Sequence, residues 1–221
     1  STPKPSSAAS DVYKRQIIYS SIIAQELKRK YKDCDSCNGQ LSMDLYNYSF
    51  FKNNEYFSDF ETGYTGIGSI LQPSLRYQLS PYTSFSFGYQ LLKYSGIDNY
   101  TEILPLINVT HSISDKLKII MGHLRGNLDH SLSEPLYRFD NSYQKNVENG
   151  VQFLYNSKHY DFDLWMDWEK FIFTDDPFQE EFVVGYNSSL DLIKKEKITL
   201  GTDFQFLFTH KGGQIDAANA S

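Results

Sequence analysis

The sequence predicts an all-β protein, an antiparallel up-and-down meander of about nine strands that forms part of a transmembrane β-barrel. Three observations predict it. Tyr and Phe number 17 and 16 in 221 residues, and aromatic side chains suit a pleated, half-buried surface better than a helix. Apolar and polar residues alternate with period two from Leu41 onward. Long and short connections then alternate without a break along the chain, the pattern of barrels with short turns at one rim and long loops at the other.

The bulk numbers bound the partners. A net charge of −6 offers no broad basic footprint, so no nucleic-acid partner is expected. No run of about 18 apolar residues exists, which excludes a transmembrane helix but not a barrel of alternating strands. The mean hydropathy of −0.47 suits a barrel with polar loops and lumen, and suits a soluble β-protein equally.

Residues 1–24 are set apart as a sequence scar plus a signal-peptide remnant. Ser1 to Ser10 is low in complexity, and Asp11 to Gln16 resembles translated adapter read-through. The apolar run Ile17 to Ile23, ending at Ala24, reads as the tail of a secretory signal cleaved after Ala24. The rival reading is a short amphipathic helix running on through Lys30. Residues 25–40 form an N-terminal periplasmic segment carrying Cys34 and Cys37. That CxxC is read as a local disulfide in an exported segment; a redox pair or half of a zinc site remain alternatives, with no second pair to complete four ligands.

Residues 41–221 form the partial barrel, with strands expected at 41–51, 68–79, 83–93, 102–112, 116–125, 147–156, 159–172, 181–192 and 197–209. Their usual length of about ten to twelve residues matches a tilted membrane-spanning strand and exceeds the five or six common in globular sheets. The clearest alternation places Tyr160, Phe162, Leu164, Met166 and Trp168 on a lipid face, opposed by Asp161, Asp163, Trp165, Asp167 and Glu169 on a wet lumen face. Tight turns fall at 80–82, 112–116, 157–158 and 194–196, and longer links at 52–67, 94–101, 126–146 and 173–180. Tyr77, Tyr82, Tyr94, Tyr155, Tyr160, Trp168 and Phe171 near strand ends fit interfacial girdles.

The long-loop rim gathers the unusual polar residues: His130 and Glu134 in the longest loop, Asp175 and Asp176 in the next, and His210 and Asp216 in the last. Two histidines and several carboxylates at one mouth could hold a divalent cation or grip a small polar solute or sugar, although surface loops are commonly polar in any case. Trp165, amid the acidic stripe, could stack on a sugar ring. No GxSxG, HExxH, EF-hand or P-loop pattern is present, so no catalytic residue, metal or cofactor is assigned. A Ser–His pair drawn from His130, Ser131 and Ser133 rests on sequence proximity alone.

The segments Phe60–Tyr64, Leu71–Tyr77, Gly126–His130, Glu134–Tyr137, Asp175–Glu180 and Thr209–Asp216 resemble an uncharacterised family of exported Bacteroidota porin-like barrels. The resemblance implies an outer-membrane location, lipid as a partner, and a chain continuing into further strands, which makes this one an N-terminal fragment with an odd strand number. The expected function is a passive or substrate-selective channel or a structural barrel, and not an enzyme. Alternatives are a soluble or surface carbohydrate-binding β-module, and a barrel-embedded hydrolase with its site at the long-loop rim.

Overall fold

The computed structural model describes residues 38–53, 57–58, 61–134, 136–137, 140–144, 146–195 and 198–213. The signal remnant, the Cys34–Cys37 pair and Asp216 lie outside the described residues. Nine strands form one antiparallel sheet in sequence order: β1 (Leu41–Asn53), β4 (Thr65–Ser80), β5 (Thr83–Tyr94), β6 (Glu102–Ser112), β7 (Leu117–His123), β8 (Asn149–Asn156), β9 (Tyr160–Lys170), β10 (Glu181–Lys195) and β11 (Ile198–Lys211). A two-residue hairpin, β2 (Phe57–Ser58) with β3 (Glu61–Thr62), decorates the first long connection. Among the described residues no helix is long and apolar enough to cross a membrane.

The meander follows from the alternation. Every neighbouring pair is joined by a single hairpin connection, so all tight turns share one rim and all long links the other. The strands are as the sequence predicts, with ends moved by three residues at most. The largest changes fall at β4 and β10, and are not matched by any change of face.

The two faces are inverted relative to a soluble protein. On the inner face Gln72, Gln90, Gln152, Asp163 and Asp167 are buried, and the Gln72 amide donates to the Gln90 side-chain oxygen. On the outer face Leu45, Leu75, Ile107, Met121, Leu200, Phe204 and Phe208 are exposed. Burying amides and carboxylates while presenting Leu, Ile and Phe outward is unfavourable in water and favourable in hydrocarbon. Outer-face aromatics gather at two levels. Tyr155, Tyr160, Phe162, Tyr186, Phe204 and Phe206 touch ring to ring towards the tight-turn rim, and Trp168, Phe171, Phe173 and Phe182 do so towards the long-loop rim. Tyr94 departs from the girdle expectation: it points inward and meets Phe50 edge-on at 5.5 Å.

The longest connection, residues 124–148, does not stand out from the rim. It folds back across the inner face. Its first part bonds to β10 and β11, through Asn187 Nδ2 to the His130 carbonyl (2.7 Å) and Gln205 Nε2 to the Ser131 carbonyl (3.1 Å). Its second part bonds to β1, through Lys52 Nζ to Asp140 (2.7 Å) and the Tyr48 and Ser142 hydroxyls (3.4 Å), with Tyr143 stacked on Phe50. One loop reaching both ends of the strand order requires the sheet to curl with its inner face concave.

Leu164 lies on the outer face in the middle of β9. Leu164→Arg is therefore expected to lower stability in a bilayer by roughly 2–4 kcal/mol, read as a shift in the urea unfolding midpoint in lipid vesicles. An unchanged midpoint would mean that this face does not meet lipid.

Candidate active site

The inward loop delivers one histidine to the most polar part of the inner face. Gly126 starts a 3-10 turn over Asn127–His130, which Ser131 ends in the left-handed region at φ 55°. This sharp turn projects the His130 imidazole towards β8 and β9. There the ring is clasped on both sides: Nδ1 meets Asp163 Oδ2 at 2.7 Å and Nε2 meets Glu148 Oε2 at 2.6 Å. The ring lies flat on Trp165, with centroids 3.5 Å apart and planes within 10°.

Each contact is supported from behind. Gln152 Nε2 donates to both Asp163 oxygens (2.9 and 3.0 Å) and to the Arg125 carbonyl, while its own oxygen accepts from the Arg125 N–H. Gln205 accepts from the Ser133 N–H and donates to Asn187, so the far side of the turn is tied to β10 and β11. Trp165 can lie flat because residue 185 opposite it is glycine; a Cβ there would sit 2.1 Å from the indole ring.

The electrostatics favour a charged ring. Burial alone would push the His130 pKa down, but the adjacent Glu148 carboxylate and the hydrogen bonds that the ring donates to Asp163 and Glu148 outweigh it and hold the pKa up at about 9. At neutral pH His130 is thus an imidazolium between two carboxylates, stacked on an aromatic face that also favours a cation. The three side chains differ in access: His130 is 2% exposed and Asp163 12%, while Glu148 keeps 15%. Glu148 is the most exposed of the three.

The arrangement sorts the residues expected from the sequence. His130, Asp163 and Trp165 come together. Asp167 is buried nearby but accepts from the Asn149 N–H, and Asp161 accepts from the Ser157 N–H at the tight-turn rim. Glu169 follows on the same face, and Glu134 and Asp175 are exposed. Asp176 caps its own loop by accepting from the Phe173 N–H. His210 does not join His130: it is on the outer face, stacked on Phe182 at 4.5 Å, because its parity along β11 is opposite to that of Gln205. Both nitrogens of His130 are taken by carboxylates, and the Ser131 hydroxyl turns instead to the Asp129 carbonyl, so the imagined Ser–His pair is not formed. Trp165 is 3% exposed beneath His130, which closes its face to a sugar ring. Glu148, Gln152, Asn187 and Gln205 were not anticipated. Glu148, just before β8, shares the parity of Gln152, and that parity is the one signal in the sequence that marks it as inward-facing.

The sequence model of the family described as Lipid A 3'-O-deacylase-type matches residues 29–221. No curated protein matches this sequence. The family description is that of an enzyme, and it corrects the expectation that the protein is not one. The all-β sheet fits the barrel part of the porin-like resemblance, and the matched family is not described as porin-like. With all nine strands inside the matched region, the chain belongs to the Lipid A 3'-O-deacylase-type family.

Proposed function

We propose that the protein is an outer-membrane esterase that removes the 3'-O-linked acyl chain of lipid A, with Glu148, His130 and Asp163 as its polar centre. The family description supplies the reaction class. The observation that carries the site is the doubly clasped imidazole of His130 on the inner face. A passive channel would have no need of an inward-folded loop that fills its lumen with such a cluster.

In this reading Glu148, the most accessible of the three, is the general base. It takes a proton from a water molecule whose oxygen attacks the ester carbonyl carbon. The tetrahedral intermediate then expels the sugar oxygen, which regains the proton from Glu148, leaving a free fatty acid and a 3'-hydroxyl. His130 is a positioning residue. Its positive charge keeps Glu148 ionised and in a fixed orientation, and Asp163 holds the ring from the other side.

The charge on His130 sets the pH dependence. A folded pKa of about 9 against the ordinary 6.5 means that the stabilisation is fully present below pH 6.5 and is lost as pH rises through about 9. Fatty-acid release from 3'-O-acylated lipid A in vesicles is expected to hold through neutral pH and to fall above about 9. A rate that climbs steadily through that range would assign the base to neutral His130 instead, and no release at any pH would remove the esterase reading.

A further inference from the structure

The wall of the sheet is parted on the outer side of this site. Pairing between β6 and β7 runs from Ser112↔Lys118 to Asn108↔Gly122, while β6 stays paired to β5 as far as Glu102. At the point of separation the backbones are pressed together: Gly122, at φ 95°, would place a Cβ 2.3 Å from the Ile107 carbonyl oxygen. Beyond Gly122 the chain turns inward, with Leu124 buried. Residues 102–107 of β6 therefore carry no strand on their β7 side among the described residues. Pro105, in the middle of that stretch, has no N–H to offer one.

The gap is a groove of about 510 Å³ lined mainly by Leu104, Pro105, Ile107, Val109, Met121 and Val147. It opens onto the apolar outer face, continuous with exposed Ile103, Ile107 and Met121. Two amides, Asn108 and Asn149, break the apolar lining. Val147 and Asn149 flank Glu148 in sequence, so the segment leading into β8 both walls the groove and carries the site base. Asn108 also lines a small polar cavity on the inner side, with Arg76, His123 and Arg125.

We propose that this groove is a lateral port in which one acyl chain of a membrane-embedded ester lipid lies, with the ester drawn past Asn108 and Asn149 towards Glu148. The inference rests on the deacylase reading and adds how substrate reaches the site. An acyl chain is the occupant that an apolar slot facing hydrocarbon meets by default, and the two amides give its ester group polar side-chain anchorage in the groove lining.

The test uses the full-length protein in phosphatidylcholine vesicles. Met121→Trp and Ile107→Trp should fill the groove, with Phe206→Trp, elsewhere on the outer face, as the comparison. The two groove variants are expected to slow release of the acyl chain from vesicle-borne lipid A by about tenfold or more while leaving hydrolysis of water-soluble p-nitrophenyl acetate unchanged. Equal loss on both esters, or no loss on either, would overturn the port. In parallel, a phospholipid with a diazirine on its acyl chain should label Met121 and Ile107 well above Phe206. Equal labelling would mean that the groove is ordinary lipid-facing surface. If the wild type hydrolyses neither ester, the deacylase reading fails by itself, and the labelling still decides whether the groove holds an acyl chain.

Discussion

Replacing Glu148 with Gln is expected to lower acyl release by about 10²–10⁴-fold, the usual range for removal of a general base, with little change in fold. The expectation follows from shape. A glutamine side-chain oxygen can still accept from His130 Nε2, where the carboxylate now sits at 2.6 Å, so the clasp survives while the proton acceptor is lost. A Gln variant with near wild-type rate would place the base elsewhere. Asp163→Asn should behave differently. Asp163 does not meet substrate in this scheme and is already held by Gln152, so its loss should act through the position and charge of His130. Its signature is a fall in rate together with a lower pH at which activity is lost.

Replacing His130 with Ala is expected to be the most destabilising single change in the site, on the order of 3–5 kcal/mol. The imidazolium lies between Asp163 and Glu148, and its removal takes the positive charge from between the two carboxylates and uncovers the face of Trp165. Urea unfolding in vesicles measures the cost. The same substitution combined with Glu148→Gln and Asp163→Asn should recover much of the lost stability, because the charges that needed His130 are then gone. If the triple variant is no more stable than His130→Ala alone, the loss comes from the vacated ring volume and not from charge.

The wall of this protein was legible in its sequence and the site only in part, for reasons visible in particular residues. Period-two alternation in β9 places Leu164 and Met166 outward and Asp163, Trp165 and Asp167 inward, and the structure keeps that division. The rhythm of connections yields the meander because hairpin order is local. The fold of the 124–148 loop is not local. His130 meets residues 18 and 33 positions away, and Gln205 reaches Ser133 across 72. Nothing in the loop's own composition distinguishes a segment that projects into water from one that folds back onto a polar inner face. The polar parity of Gln152, Asn187 and Gln205 was the available clue, since buried amides demand partners and an inward loop supplies backbone carbonyls and N–H groups. His210 illustrates the converse. Being at the same rim does not put it in the same place, because strand parity sends it to the outer face.

The most direct measurement is the mass of lipid A recovered from vesicles holding either the wild-type protein or Glu148→Gln. The wild type should convert lipid A to a species lighter by one 3'-O-linked acyl chain, with the matching free fatty acid, and the Gln variant should leave nearly all of it intact. Unchanged lipid A with the wild type, or equal conversion by both proteins, would contradict a Glu148–His130–Asp163 esterase.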